Sequence, residues 1–201
     1  MPLGLTLLIF AACGTPPVVS EPRPCPEDAM GQLFAEHLPD ADAKTATGGM
    51  FSAKPGEVRT CRFDAEGRLM AMSSTRDEVT EAAHVTRDSQ GRPIRLDGQS
   101  RYGPMSMAFT YAPHGQMASM TTDKNGDGKV DAKMDWLYDG TRHIGVESDF
   151  DGDGAWEGRT SLDEQGRIRL IERKQPNGKI EKARVTGYDE NGQPSGFEVV
   201  E

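Results

Sequence analysis

The chain predicts a mainly β fold, an antiparallel meander of hairpin repeats about ten strands long with one short N-terminal helix. Three observations carry that expectation. Glycine is in excess at 23 of 201 residues, about 11% against a usual share near 7%. From residue 57 onward turn-forming segments recur, with glycines at 67, 91, 115, 140, 166 and 192. Between them, apolar and polar residues alternate with the period of a strand, as in Met105, Met107, Phe109 and Tyr111, or Val130, Ala132, Met134, Trp136 and Tyr138.

Residues 1–12 hold an apolar run, Leu3 to Ala12, that ends on small residues, so they are a targeting segment set apart from the fold. Residues 13–26 contain GTPPVVSEPRPCP, an extended, semi-rigid tether. In residues 27–56, Met30, Leu33, Phe34 and Leu38 stand at helical spacing ahead of Pro39, which predicts one short amphipathic helix followed by an irregular stretch.

Residues 57–201 form the hairpin-repeat domain. In Asp64 to Gly67, Asp88 to Gly91, Asp163 to Gly166 and Asp189 to Gly192, the aspartate caps the turn. The glycine three residues later supplies the positive φ of a type I turn with a G1 bulge. A second set of turns, at Gly126, Gly152 and Gly178, makes the chain reverse every 12 to 13 residues, giving two strands per repeat. With one face apolar and the other mostly polar, the sheet has a one-sided core and is either curled or folded over on itself.

The net charge of −9 excludes nucleic acid as a partner, because phosphate binding requires clustered lysine and arginine. It suits cations. Two turns are richer in acids than a turn requires. Asp123, Asn125 and Asp127 are followed by Gly128, Lys129 and Asp131; Asp149, Asp151 and Asp153 are followed by Gly154, Ala155 and Glu157. Both segments fit D-x-[DN]-x-[DN]-G and resemble the opening of an EF-hand calcium loop. Oxygen ligands at the first, third and fifth positions would converge where glycine bends the chain. The seventh residue, Lys129 or Ala155, would offer a backbone carbonyl, and the ninth, Asp131 or Glu157, another acid.

The twelfth position, which holds a bidentate glutamate in an EF-hand, is Met134 in one loop and Thr160 in the other. The expectation is therefore a calcium-capped hairpin of weak affinity, about 10⁻⁴–10⁻³ M. The same residues are also the ordinary makers of turns. The third turn of the set, Lys174 to Lys179, has lost the acids and keeps a plain Asn177-Gly178 reversal.

Phe10-Ala11-Ala12-Cys13 resembles the lipobox of bacterial lipoproteins. The resemblance implies cleavage before Cys13, acylation of that cysteine and membrane attachment through the lipid. It implies a cell-envelope location, with Gly14 favouring the outer membrane, on its periplasmic or surface face. With Cys13 acylated, the three cysteines leave one pair, Cys25 and Cys61, which either bridges in an oxidising compartment or remains as two buried thiols. The turns, above all Phe63-Asp64-x-x-Gly67-Arg68 and Tyr188-Asp189-x-x-Gly192, resemble the YD repeats of the RHS family, which implies stacked β-hairpins.

Other chemistry is absent from the sequence. His37, His84, His114 and His143 lack ligand spacing, and no nucleophile elbow, zinc-protease motif or phosphate loop occurs. The expectation is a non-enzymatic envelope protein with a structural or protein-interaction role. The alternative is a module that binds a glycan, peptide or toxin-like partner on the exposed sheet face or edge.

Overall fold

The structure, a computed structural model, describes residues 20–26, 29–35, 37–39, 56–76, 79–100, 102–190 and 194–200. It contains one antiparallel sheet of thirteen strands. They are β1 (Arg23–Pro24), β2 (Val58–Phe63), β3 (Leu69–Arg76), β4 (Val79–Arg87), β5 (Pro93–Ser100), β6 (Gly103–Tyr111) and β7 (Met117–Asp123), then β8 (Ala132–Asp139), β9 (Arg142–Asp149), β10 (Gly158–Leu162), β11 (Ile168–Lys174), β12 (Ile180–Tyr188) and β13 (Pro194–Val200). Each strand pairs with its sequence neighbours, so the spatial order is the chain order. The count exceeds the expected ten. Six hairpins supply twelve strands, and two residues of the proline-rich segment add β1, pairing with Cys61 and Thr60.

The turns show why the repeat folds as it does. Asp64 Oδ1 accepts the backbone N–H of Glu66 (3.1 Å) and Arg68 (2.8 Å), while Oδ2 accepts Arg68 Nε at 2.7 Å. The same arrangement recurs for Asp88 with Arg92 and for Asp163 with Arg167. Gly67, at φ 81°, occupies the left-handed position that a side chain disfavours. Register shifts at Arg62/Phe63, Thr86/Arg87, Thr110/Tyr111, Leu137/Tyr138 and Ser161/Leu162 mark one bulge in each of the first five hairpins, and the β12–β13 hairpin carries two, at Val185/Gly187 and Gly187/Tyr188.

Successive hairpins are tied by a recurring long-range bond. Tyr111 Oη donates to Pro93 O, Tyr138 Oη to Met117 O at 2.7 Å, and Tyr188 Oη to Ile168 O at 2.8 Å. In the second hairpin an arginine does this work, with Arg87 Nη2 donating to Leu69 O at 3.0 Å. The acceptor is always the first residue after the preceding turn. Arg92 and Arg167 also lie over the rings of Tyr111 and Tyr188, at 4.4 and 4.3 Å. Burial pushes the Tyr111 hydroxyl up to about 12, so it stays a donor at every physiological pH.

The core lies on one face. Cys61, Phe63, Leu69, Val85, Leu96, Phe109, Met117 and Trp136 are buried there, beneath Ala29, Leu33 and Phe34 of the helix α1 (Ala29–Ala35). Seven residues are too few for a helix to persist alone. Burial of Leu33 and Phe34, about 1.5–3 kcal/mol each, holds it on the sheet, with the Phe34 and Phe109 rings 5.1 Å apart. The opposite face is polar. Asp135, Glu147, Arg159, Glu172 and Lys182 stand in one cross-strand row. Arg159 pairs with Glu147, and Lys182 with Glu172 at 2.9 Å.

The Cys25–Cys61 disulfide is formed, with the two Cα atoms 4.9 Å apart. It fastens the N-terminal segment to β2, where Cys25 N–H also donates to Arg59 O at 3.2 Å. Further on, Met117 N–H donates to His37 O at 2.7 Å, so the segment crosses the apolar face from β2 to β7.

Candidate metal loops

The two acidic loops join β7 to β8 and β9 to β10, at one end of the sheet. They are the same nine-residue structure built twice. In the first, Asp123 Oδ1 accepts the N–H of Gly126 (2.6 Å) and Asn125 (3.2 Å), and Oδ2 that of Gly128 (2.9 Å). In the second, Asp149 Oδ1 accepts Gly152 (2.6 Å) and Asp151 (3.2 Å), and Oδ2 accepts Gly154 (2.9 Å). The fifth residue caps the seventh in both: Lys129 N–H donates to Asp127 Oδ1 (2.8 Å), and Ala155 N–H to Asp153 Oδ1 (2.7 Å). The ninth residue folds back on the second, with Lys124 N–H donating to Asp131 Oδ2 (2.7 Å) and Phe150 N–H to Glu157 Oε2 (2.8 Å).

These bonds favour the ionised form of Asp123 and Asp149. Burial alone would raise the Asp149 carboxyl, but the N–H groups of Gly154, Gly152, Asp151 and Asp153 outweigh it and hold the group below the usual carboxylate range. Asp123 is held low in the same balance, chiefly by Gly128 and Gly126. Each carboxylate oxygen has two lone pairs, so a carboxylate that accepts backbone N–H groups keeps acceptor capacity for a cation.

The loops differ in one respect that matters. In the second, Asp149, Asp151, Asp153 and Glu157 each bring an oxygen to within 4.8 Å of all the others. In the first, neutral Asn125 replaces Asp151, and among the described residues no comparable group of three carboxylates forms there. The twelfth positions fall in strands: Met134 lies in β8 and packs on the core cluster, and Thr160 lies in β10. No helix follows either loop.

The loops also touch. A Cβ on Gly152 would lie 2.0 Å from Val130 O and 3.1 Å from Asp131 Cα, so the second loop rests on the backbone of the first. Gly126 rests in turn on the ring of Pro104, 2.6 Å from a Cβ built there. The acidless turn continues the row, since Lys174 N–H donates to Glu157 O at 2.7 Å.

Elsewhere, three histidines that look scattered in sequence meet two tyrosines. His37 lies edge-on to Tyr111 at 5.3 Å, His114 to Tyr138 at 4.6 Å, and His143 lies 5.6 Å from Tyr138. Trp136 is buried in the core, and Trp156 lies under the Arg159 guanidinium at 4.5 Å. Cys13 lies outside the described residues. Among the described residues no helix is long and apolar enough to cross a membrane.

No family model matches the chain, and no curated protein matches it. Among solved structures it is similar to the Tc holotoxin pore of Photorhabdus luminescens, with 13% identity over 71% of this chain and a TM-score of 0.49. It is also similar to a TcdB2-TccC3-Cdc42 structure, with 14% identity over 66% of this chain and a TM-score of 0.47. The chain spans 8% of the length of each of these toxin chains. A porin-like protein from Bacteroides uniformis is 11% identical over 70% of this chain and 82% of its own, with a TM-score of 0.33.

Proposed function

We propose that this chain is a non-enzymatic protein of the bacterial cell envelope, anchored by a lipid on Cys13, whose hairpin-repeat sheet is stiffened by Ca²⁺ at the two acidic loops. Its role is structural or in protein interaction. The observation that carries the metal reading is the convergence of Asp149, Asp151, Asp153 and Glu157 within 4.8 Å. Four unneutralised carboxylates so close repel one another, and a hard divalent cation with oxygen ligands removes that repulsion. The first loop, with fewer carboxylates, is the weaker site.

Calorimetric titration with the metal, and melting with and without it, tests the reading. At tenfold excess over Kd a single site stabilises by about 1.4 kcal/mol, which raises Tm by about 3–6 °C in a chain of this size. Asp153→Asn keeps the capping oxygen and removes a charge, so it lowers the affinity while leaving the metal-free Tm near that of the parent. Absence of heat and of a Tm shift at millimolar Ca²⁺ overturns the metal reading. A Cys13→Ser chain that stays in the membrane fraction and still labels with palmitate overturns the anchor.

A further inference from the structure

Asparagine stands directly before glycine three times, at 125, 177 and 191. Asn125 and Asn177 lie in exposed turns at the same end of the sheet, and the pair at 191 falls outside the described residues. Glycine has no side chain to keep its backbone nitrogen away from the neighbouring amide, so an Asn-Gly pair can close on itself. At both described sites the asparagine Oδ1 accepts the N–H two residues on, from Asp127 at 2.9 Å and from Lys179 at 2.9 Å. That bond draws electron density from Cγ and stabilises an oxyanion forming there. The two sites part at the glycine. Gly178 N–H donates to a peptide carbonyl, Gln175 O at 2.8 Å, whereas Gly126 N–H donates to a carboxylate, Asp123 Oδ1 at 2.6 Å. Of the two, only the first acidic loop sets a base on the proton of the attacking nitrogen.

We propose that Asn125 is a deamidation site, whose reaction converts the first acidic loop to the carboxylate set of the second. The Gly126 nitrogen bonds to Asn125 Cγ as its proton passes to Asp123. The Cγ–Nδ2 bond then breaks, and that proton leaves with the amide nitrogen as ammonia. Water opens the resulting succinimide: attack at Cγ gives aspartate, and attack at the backbone carbonyl gives isoaspartate. The net change is one amide and one water to one carboxylate and one ammonium. The aspartate product fits the loop, because Asp151 stands at the same position in the second, where its Oδ1 accepts the Asp153 N–H at 3.2 Å. Position 125 then adds a carboxylate to Asp123, Asp127 and Asp131, as Asp151 does to Asp149, Asp153 and Glu157. Isoaspartate lengthens the main chain by one atom and breaks the register of the loop's hydrogen bonds. The reaction rests on neither calcium nor the lipid; its effect, a firmer hold on Ca²⁺ by the first loop, rests on the calcium reading.

Mass spectrometry of the full chain, aged in its folded state in metal-free, mildly alkaline buffer and then digested, tests it. Asn125 loses its amide about tenfold faster than Asn177, or more, which is less than the ~10²–10⁴ of a proton acceptor tuned to the working pH. The reason is that the upward push of burial on Asp123 is outweighed by the N–H groups of Gly128 and Gly126, which hold it low and make it a weak base. In urea, where both turns are lost, the two sites react at similar rates, so the preference belongs to the fold and not to the dipeptide. Equal rates in the folded chain, or an Asn125 that keeps its amide, overturns the proposal. Calorimetry treats the metal separately: Asn125→Asp binds Ca²⁺ at the first loop about tenfold more tightly than the parent. An unchanged affinity overturns the calcium reading of that loop and leaves the reaction standing.

Discussion

Replacing Gly152 by alanine separates loop strain from loop stacking. The residue sits at φ 75°, and its Cβ would fall 2.0 Å from Val130 O and 2.9 Å from Val130 C. Gly154 provides the reference, with φ 88° and nothing within 4 Å of a Cβ. Both alanines bear the left-handed penalty of about 1–2 kcal/mol. Both also gain the same stiffening of the unfolded chain, about 0.4–1 kcal/mol, so that contribution cancels in the comparison. Only Gly152→Ala must push aside main-chain atoms of the neighbouring loop, which adds about 1–3 kcal/mol. At about 2–4 °C per kcal/mol, its Tm lies roughly 2–12 °C below that of Gly154→Ala. Thermal melts of the two variants in metal-free buffer give the answer. If they melt together, the loops do not rest on one another, and the continuity of the loop row fails with that result.

Further outcomes follow from the same contacts. The disulfide closes a loop of 36 residues, so Cys25→Ser with Cys61→Ser costs about 4 kcal/mol of stability, measured by urea unfolding. Tyr138→Phe removes a 2.7 Å bond and strands the Met117 carbonyl, a loss of about 1 kcal/mol; Tyr188→Phe behaves alike. Acid sensitivity has a definite sign. Asp64, Asp88, Asp123, Asp149 and Asp163 are all lowered from 3.8 in the folded chain, so their contribution is full above that value and is lost as pH falls through the lowered ones. Tm is therefore flat from pH 7 to about 5 and falls below about 4; a steep decline already between pH 7 and 5 contradicts this.

The hairpin rhythm is legible in sequence because its cause is local. An aspartate that caps its own turn and a glycine three residues on act within five residues, wherever the hairpin ends up in the sheet. The acidic loops are legible for the same reason, since their hydrogen bonds span two to seven residues. What escapes is anything decided across hairpins. The reversal from β3 to β4 carries no Asp-x-x-Gly signal, and β1 is set by its pairing with β2 and by the disulfide between cysteines 36 residues apart, so the strand count falls short.

The ties between repeats are hidden more deeply. Arg87 and Tyr138 share no side-chain chemistry beyond a donor at the end of a long arm, yet both satisfy the carbonyl that follows the previous turn, 18 and 21 residues upstream. Selection for that bond constrains reach and donor, not residue type, so a motif written in residue letters misses it. The same reasoning explains why His37, His114 and His143 look scattered: their partners are tyrosines placed by register. Each such donor ties its hairpin to the one before it, so the shared feature of the repeat is the carbonyl it reaches, at Leu69, Pro93, Met117 and Ile168, and not the residue that supplies the donor.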